Sequence, residues 1–322
     1  MRPGPLPSDR LPSPASSPLE RFLAFLPRQL RRQRLLALLH RSGLVSPVQR
    51  IHFNGDATAW VDLRDAESRA TLLAGSFWPE FPPMVAAFLR GGGDLFDVGA
   101  NLGLVTLGVL PLVAGRGTRF HLFEANSRLI PLLERSAGEW TSEDVQIVQA
   151  CVTDRPGVSH FTLPDSHWGH GRITAEGQAV PNLRLDDYVA EHGIRRIAFL
   201  KLDVEGWELR ALRGTLRTLR SGIVHAGYVE IAPNELRRAG TRPEEVLELL
   251  ESCGFDLYFA GAWESTEAHD LRWVRLDVDG TSLRFARANP LPSSFVQGDV
   301  LVLHRSTPLA SRVRAAFGEG MP

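Results

Sequence analysis

Three charged residues alternate at the end of an apolar stretch in the second half of the chain. Residues 197–200 are apolar, and Lys201, Asp203 and Glu205 follow at every second position. Because side chains alternate between the two faces of a strand, this spacing places one cation and two carboxylates on the same side of a strand end. Burying three charges is costly unless they are paired or functional. Such a cluster displaces pKa values, as acid/base chemistry requires. A purely structural lysine–carboxylate pair is the alternative interpretation.

The cation in this cluster is unusual for the chain. Of the 36 basic residues that are Lys or Arg, Lys201 is the single lysine and 35 are arginines. A codon bias toward arginine explains the 35. A compact ammonium and a planar guanidinium are not interchangeable at a tight site, so the exception predicts a specific role for Lys201 as the charge partner that orients Asp203 or the substrate.

A glycine-containing turn follows an earlier apolar strand and predicts a ligand site. Its sequence is Asp97-Val98-Gly99-Ala100-Asn101-Leu102-Gly103. The glycines let the backbone turn tightly and approach a ligand closely. An acid before the turn repels a pyrophosphate, so a cationic ligand such as S-adenosylmethionine fits better than a dinucleotide. The predicted cofactor-binding residues here are Asp97, Gly99, Ala100, Asn101 and Gly103.

A second acid ends the next apolar strand. Glu124 lies 21 residues after Gly103, about the distance at which an acidic residue reaches a ribose diol in nucleotide-binding α/β folds. Its two oxygens can accept hydrogen bonds from both hydroxyls. Glu124 therefore predicts a nucleoside, whether NAD or S-adenosylmethionine.

The segment 165–172 contains two histidines between the third and fourth predicted strands. His167 or His170 could act as a base or contact an acceptor molecule, because loops at such positions often carry function. Together with Asp203 and Glu205 they could also form a metal site, although histidine spacing alone is weak support. An exposed loop with incidental histidines is equally compatible with the pattern.

The elements that must position these residues alternate along the chain. Short apolar strands alternate with helical stretches, which is typical of an α/β fold with a parallel sheet between helices. The predicted strands are 95–98, 118–123, 145–151, 197–202, 223–231, 255–260 and 299–304. The predicted helices are 104–113, 127–137, 207–219 and 243–252. Ligands bind beyond the carboxyl ends of such strands, where every candidate residue above lies.

Four ordered blocks resemble the FkbM family of S-adenosylmethionine-dependent methyltransferases. They are Phe96–Gly103, Phe123-Glu124, Leu185-Asp186-Asp187 and Leu200–Glu208, with a weaker continuation at Tyr228–Ile231. The resemblance implies the class I methyltransferase fold: a Rossmann-like, mostly parallel seven-stranded sheet with an antiparallel last strand and helices on both faces. It also implies S-adenosylmethionine as cofactor and methylation of a hydroxyl on a sugar, glycan or natural product.

The resemblance also suggests roles for single residues. Asp154 matches the family position near the adenine, although Ala125 and Cys151 depart from the usual residues around it. For transfer to a hydroxyl, Asp203 is the candidate general base, with Glu205 as a supporting or metal-binding carboxylate and His170 as a further catalytic candidate.

Two other classes of function remain open at this point. Asp203-Val204-Glu205 could act as the metal-binding motif of a glycosyltransferase that uses a nucleotide sugar, since carboxylates suit Mg or Mn. A non-catalytic nucleoside-binding protein would keep the same pocket without transfer.

Composition sets the domain organisation. Residues 1–18 contain six prolines and four serines, which predicts a disordered tail. Residues 19–90 are expected to form a basic helix, a hairpin around Asn54-Gly55-Asp56 and a helical lead-in. Residues 91–306 are the expected methyltransferase domain, with a hairpin insert at about 261–298 that serves as a cap or dimer element. Residues 307–322 are expected to be a C-terminal tail.

Charge and hydropathy limit the partners. The net charge of −1 does not indicate nucleic-acid binding. The longest apolar run, 102–115, is too short to span a bilayer, and the prolines near the start interrupt any secretory signal, so the cytoplasm is the expected compartment. Seven arginines without an acid between 21 and 50 leave open a peripheral membrane contact, and packing against the domain is the alternative. Self-association as a homo-oligomer also remains open.

Overall fold

The protein is built around one mixed nine-stranded sheet with helices on both faces. The computed structural model describes residues 36, 38–40, 42–141, 143–163, 167–260, 274–278, 280–289, 291, 295 and 297–318. The strands of this sheet are β3 (Asp94–Val98), β4 (Arg119–Glu124), β5 (Asp144–Gln149), β10 (Ile197–Leu202), β11 (Ala226–Ile231), β12 (Phe255–Ala260), β13 (Val274–Val278), β14 (Thr281–Arg287) and β15 (Gly298–His304). Their order in the sheet is β13-β14-β12-β15-β11-β10-β3-β4-β5.

The helices cover both faces of the sheet and connect its strands. They are α1 (Ala66–Ala74), α2 (Phe81–Leu89), α3 (Leu104–Val113), α4 (Ile130–Ala137), α5 (Leu185–Glu191), α6 (Glu208–Arg213), α7 (Leu216–Arg220), α8 (Pro233–Arg238), α9 (Pro243–Ser252) and α10 (Pro308–Ala316). The predicted bounds of α3 and α9 match the structure. The long helix predicted over 207–219 is instead divided into α6 and α7. Gly214 lies at the break, where a Cβ would come within 2.1 Å of the Thr153 carbonyl oxygen.

The predicted sheet is confirmed, with two strands added at one edge. Strands β5, β4, β3, β10 and β11 run parallel, and β15 inserts antiparallel between β11 and β12. The hairpin β13–β14 pairs antiparallel with β12, so the sheet has nine strands rather than seven. This hairpin is the described part of the predicted insert, and it extends the sheet instead of forming a cap.

The lead-in before the sheet belongs to the same core. The hairpin β1 (Val48–Phe53) and β2 (Ala57–Asp62) pairs antiparallel as predicted, and β2 packs on α3 and α4. Apolar residues of β1, β2 and α2 share one buried cluster with those of α3. Because these residues have no separate core, the expected region 19–90 and the methyltransferase domain are physically continuous over the residues described.

The chain between β5 and β10 forms a second, four-stranded sheet. It has the order β6-β9-β7-β8, with β6 (Cys151–Val152), β7 (Val158–Thr162), β8 (Arg172–Thr174) and β9 (Gln178–Leu183). The strand predicted over 145–151 is therefore two strands in two sheets. A short 3₁₀-helix, Trp168–His170, lies between β7 and β8 and forms part of the loop that bears the two histidines.

The chain end differs from the expected tail. Helix α10 begins at a Thr307 side-chain cap that accepts a bond from the Ala310 amide, and it buries Ala310 and Val313. The tail predicted over 1–18, most of the expected basic helix and the first part of the insert, residues 261–273, lie outside the described residues. Within the described part, none of the helices is both long and apolar enough to cross a membrane.

Candidate functional site

A cavity of about 290 Å³ opens at the carboxyl ends of the central strands. It is bounded by the ends of β3, β4, β6, β10 and β11, by the 3₁₀-helix and by the lead-in before the sheet. Its described lining contains seven carboxylates and neither a lysine nor an arginine. The seven are Asp65, Glu67, Glu124, Asp203, Glu205, Glu230 and Glu235. This lining makes the electrostatic environment suitable for a positively charged ligand.

The glycine turn lines the cavity as predicted for two of its residues. Gly99 has φ +77°, and a Cβ there would lie 1.7 Å from the Asp203 carbonyl oxygen. The amide of Gly99 donates to the Phe123 carbonyl oxygen at 2.9 Å. Asn101 also lines the cavity, at φ +53°. The turn is therefore packed between the ends of β4 and β10, and any side chain at position 99 would separate them.

The other predicted residues of this turn do not line the cavity. Ala100 donates its amide to Phe123 and is 5% exposed. Gly103 begins α3 at φ +71°, and a Cβ there would lie 2.7 Å from the Leu133 side chain. In the structure both positions serve the backbone turn and its packing, and their contact with a cofactor stays a prediction.

Asp97 does not line the cavity either, because its side chain is fully buried beneath it. Its carboxylate accepts a hydrogen bond from the Thr106 hydroxyl at 2.8 Å and lies 3.5 Å from the Lys201 ammonium. Burial raises the pKa of Asp97, and Lys201 opposes that shift. Asp97 thus supports the site from below through Lys201.

Lys201 connects the ends of β3 and β10. Its ammonium donates to the Gly99 carbonyl oxygen at 3.0 Å and lies 3.2 Å from the Asp203 carboxylate. Burial disfavours its charge, but the carboxylates of Asp203 and Asp97 outweigh burial and raise the pKa of Lys201. The lysine is therefore a permanent buried cation that fixes the glycine turn and Asp203 at once.

Glu124 lines the cavity and organises the loops around it. Its carboxylate accepts amide hydrogen bonds from Asn101 and Asn126, both at 2.7 Å. Burial raises the pKa of Glu124, and these backbone bonds oppose the shift. Each carboxylate oxygen still has a second lone pair. Glu124 can therefore accept a ligand hydroxyl while it holds the turn.

Glu205 and His170 meet at the rim of the cavity. Their side chains approach to 3.6 Å, and Glu205 adopts φ +55°. Burial first and the Asp203 charge second raise the pKa of Glu205 to about 7. His167 also lines the cavity. The loop histidines and the carboxylates after β10 are thus brought together from separate parts of the chain.

Glu208 fixes the loop that contains Asp203 and Glu205. It is fully buried, and its Oε1 accepts amide bonds from Val204 and Gly206 at 3.0 and 3.2 Å. Burial raises the pKa of Glu208 to about 7. Glu208, the final acid of the family-like block Leu200–Glu208, therefore positions the loop rather than a ligand.

Two acids that the sequence did not single out lie beside Asp203. Glu230, at the end of β11, lines the cavity, hydrogen-bonds to Asp203 and accepts a bond from the Gln297 side chain at 2.7 Å. Burial and the Asp203 charge raise the pKa of Glu230 to about 9. Asp299 is the cross-strand neighbour of Glu230, and the same two causes raise its pKa to about 7. In the sequence, only the position of Glu230 at the end of the predicted strand 223–231 pointed to this pair of acids.

Asp154, the predicted adenine contact, lies outside the cavity lining. Its carboxylate is 3.8 Å from Arg210 on α6 and 3.7 Å from Arg155. The neighbouring residues Ala150, Cys151 and Val152 line the cavity instead. They supply a largely apolar surface where the sequence predicted a carboxylate.

Residues of the lead-in form another wall that the sequence did not predict. Asp65, Glu67 and Trp78 line the cavity, although no motif connects them with the sheet.

Among the residues that the structure describes, no group of three His, Cys, Asp or Glu side chains is placed to hold a metal ion.

The sheet order, the glycine turn and the acid at the end of β4 define a class I methyltransferase fold. The family model described as the methyltransferase FkbM domain matches residues 97–257, half of the chain. The protein therefore belongs to the FkbM methyltransferase family.

Comparison with solved structures gives distant similarities. FkbM methyltransferase from Methylobacillus flagellatus is 17% identical, with 60% of this chain and 43% of that chain covered and a TM-score of 0.37. Fibrillarin from Methanococcus jannaschii is 12% identical, with 75% and 82% covered and a TM-score of 0.36. Magnesium protoporphyrin IX methyltransferase from Synechocystis is 10% identical, with 69% and 81% covered and a TM-score of 0.33. The match thus spans less than half of the Methylobacillus protein. No curated protein sequence shows significant similarity to the chain.

Proposed function

We propose that the protein is an S-adenosylmethionine-dependent O-methyltransferase that acts on a hydroxyl of a sugar, glycan or natural product. The observation that carries the proposal is the cavity at the strand ends, whose described lining has seven acidic residues, of which Glu230 is protonated at neutral pH, and neither lysine nor arginine. A sulfonium and an ammonium are attracted to such a lining, whereas a pyrophosphate is repelled. Family membership supports the same reaction class.

The residues around the cavity fit this cofactor. The Gly99 turn allows close approach of a ligand to the backbone, and Glu124 offers free lone pairs to ribose hydroxyls. The surface at 150–152 suits an adenine because its side chains are small and largely apolar. When bound, S-adenosylmethionine supplies an electrophilic methyl group to an attacking oxygen. What remains for the protein is to orient the acceptor and take up its proton.

Asp203 is the proposed proton acceptor. It lines the cavity, and its carboxylate is fixed by Lys201 at 3.2 Å. Glu230 carries a proton at neutral pH, because its pKa is about 9, and can donate it in the hydrogen bond with Asp203. A base must lie about 2.6–3.2 Å from the hydroxyl it deprotonates, a distance the cavity allows for an acceptor resting on Asp203.

Glu205 and His170 are proposed to bind the acceptor. Both lie at the rim, and the pKa of Glu205 is about 7. Near neutral pH a carboxyl with this pKa exchanges between hydrogen-bond donor and acceptor. Glu205 can therefore donate a hydrogen bond to the acceptor or accept one from it, and His170, whose side chain is 65% exposed, lies beside this contact at the solvent edge.

The glycosyltransferase alternative requires Asp203 and Glu205 to hold a divalent ion. In the structure, however, the Asp203 carboxylate is engaged by Lys201 and Glu230, and Glu205 faces His170. These contacts favour proton handling over metal ligation. The non-catalytic alternative keeps the same pocket, so only turnover separates it from an enzyme.

Calorimetric titration with S-adenosylhomocysteine, and separately with UDP-glucose plus Mn²⁺, tests the cofactor. We expect binding of the first and none of the second. Glu124→Gln should weaken the first, because its amide nitrogen cannot accept a ribose hydroxyl bond. Glu248→Gln is the matched control, since Glu248 is exposed on α9 and lies outside the cavity lining. Binding of only the UDP-sugar would refute the proposal.

Transfer of a labelled methyl group to a panel of hydroxyl-bearing acceptors tests the reaction. Asp203→Asn should lower turnover about 10²–10⁴-fold, the usual contribution of a general base, while S-adenosylhomocysteine still binds. Undiminished turnover in Asp203→Asn would contradict its role. Cofactor binding without transfer to any acceptor would favour the binding-protein alternative.

A further inference from the structure

A segment that precedes the family match reaches the cavity. The matched residues begin at 97, yet Asp65, Glu67 and Trp78 line the cavity opposite the strand ends. In the proposed function, the sheet, the glycine turn and the acids after β10 bind the cofactor and take up the proton of the acceptor hydroxyl. This lead-in wall, residues 65–78, is free to serve a different purpose.

Trp78 is held in an unfavourable conformation at the cavity. Its φ is +38° and it is 38% exposed. A bulky residue seldom adopts a positive φ, and an exposed tryptophan gives up a large hydrophobic contribution. Backbone strain of this kind persists only where the surroundings enforce it, and it concentrates at functional positions.

The surroundings of Trp78 do enforce its position. The Asn54 side chain donates to the Phe77 carbonyl oxygen at 2.6 Å and accepts from the Phe77 amide at 2.9 Å. The Trp78 ring stacks on Phe77, with centroids 5.4 Å apart and planes 9° apart, and meets Phe81 edge-on at 5.9 Å. Phe81 in turn contacts Tyr228 of β11 at 4.9 Å. The indole is thus connected rigidly to the core while part of its surface faces the cavity.

The same wall touches the two loops that surround the ligand space. Glu67 accepts a bond from the Asn101 side chain at 2.5 Å, which connects the wall to the glycine turn. Asp65 accepts the Trp168 amide at 3.0 Å, which fixes the 3₁₀-helix that contains His170. Movement of the lead-in wall would therefore displace both the cofactor turn and the histidine loop.

We infer that the lead-in wall is the acceptor-recognition surface of the enzyme, with the Trp78 ring stacking on the apolar face of a sugar ring and Glu67 accepting one of its hydroxyls. This inference rests on the proposed function. A sugar ring combines an apolar C–H face with several hydroxyl donors, and the cavity combines an indole with carboxylate acceptors. A phenolic acceptor would also stack on the indole, but it would leave most of the carboxylates without a hydroxyl partner.

Saturation-transfer NMR on the full chain, saturated with S-adenosylhomocysteine, tests this inference. The probes are methyl α-D-glucopyranoside, catechol and glycerol, which represent a sugar ring, a phenol and hydroxyls without a ring. We expect the glucopyranoside to bind more tightly than either other probe. Trp78→Ala should raise its Kd at least about fivefold, the equivalent of one aromatic contact, whereas Trp78→Phe should keep the Kd within about twofold because a ring remains.

Leu112→Ala is the matched control, since Leu112 is an exposed apolar side chain, 46% accessible, outside the cavity lining. It should leave the Kd of the glucopyranoside unchanged. Calorimetric binding of S-adenosylhomocysteine is measured on every variant and should not change, which shows that each variant is folded and reports separately on the proposed function.

Three results would overturn the inference while cofactor binding persists. They are absence of glucopyranoside binding, preference for catechol, and an unchanged Kd in Trp78→Ala. Failure of the wild type to bind S-adenosylhomocysteine would instead refute the proposed function.

Discussion

Replacement of Lys201 by methionine removes the buried cation on which the site is built. The ammonium lies 3.0 Å from the Gly99 carbonyl oxygen, 3.2 Å from Asp203 and 3.5 Å from Asp97. Asp97 has no accessible surface, whereas the Asp203 side chain is 28% exposed. The uncompensated charge in Lys201→Met is therefore mainly that of Asp97, which water cannot reach.

The expected loss of stability follows from this burial. Breaking a buried ion pair by removing one partner costs about 3–5 kcal/mol. The Asp203 contact adds little because solvent screens it. We therefore expect Lys201→Met to lower the free energy of unfolding by about 3 kcal/mol, out of the roughly 5–15 kcal/mol that is typical of a native protein.

Urea unfolding of a double-mutant cycle measures this effect. Asp97→Asn in the Lys201→Met background removes the orphaned charge and should recover at least about 1 kcal/mol relative to the additive expectation. Arg155→Met, at an exposed pair, is the control and should change stability by less than about 0.5 kcal/mol. A Lys201→Met loss below about 1 kcal/mol, or strict additivity with Asp97→Asn, would refute the reasoning.

Three further outcomes are expected. Glu208 has a folded-state pKa of about 7 against 4.5 when unfolded, so the folded state binds the extra proton and stability falls as pH rises through this window. Urea unfolding between pH 5 and 8 should therefore show wild type losing about 2.5 kcal/mol relative to Glu208→Gln. Gly99→Ala should abolish calorimetric binding of S-adenosylhomocysteine, because its Cβ would lie 1.7 Å from the Asp203 carbonyl oxygen. Lys201→Arg should impair methyl transfer in the labelled-methyl assay, because a guanidinium does not fit between Gly99 and Asp97 as an ammonium does.

Each of these has a result that contradicts it. Parallel pH profiles for wild type and Glu208→Gln would show that Glu208 does not titrate in this window. Gly99→Ala with unchanged affinity would mean that the turn does not form the cofactor site. Full transfer activity in Lys201→Arg would show that any buried cation suffices there.

Local patterns predicted the framework and the residues after β10. Apolar runs bounded by glycines predicted the strands, and the alternation at Lys201, Asp203 and Glu205 predicted a charged cluster, two of whose members lie 3.2 Å apart. These predictions depend on neighbours in sequence, which the period of a strand relates to neighbours in space. The sheet topology was implied by the family resemblance, and the hairpin insert was foreseen without its pairing to the sheet edge at β12.

The wrong predictions concern side-chain direction and long-range pairing. Asp97 precedes the glycine turn and was expected to face the ligand, but it is the cross-strand partner of Lys201 and points beneath the cavity. Asp154 was expected at the adenine, but it faces Arg210 on α6. A motif identifies which residues stand at a strand end, but the packing of helices decides which of them the cavity exposes.

The sequence by itself determined the α/β class, the positions of the main strands along the chain and the residues at their carboxyl ends, because hydrophobic periodicity and turn residues act over a few positions of the chain. Only the tertiary structure decided that Glu230 and Asp299 stand beside Asp203 and that Trp78 and Glu67 close the cavity from the lead-in. These contacts join residues far apart in sequence. They arise from strand register and from burial of the lead-in on the common core, which no local pattern encodes.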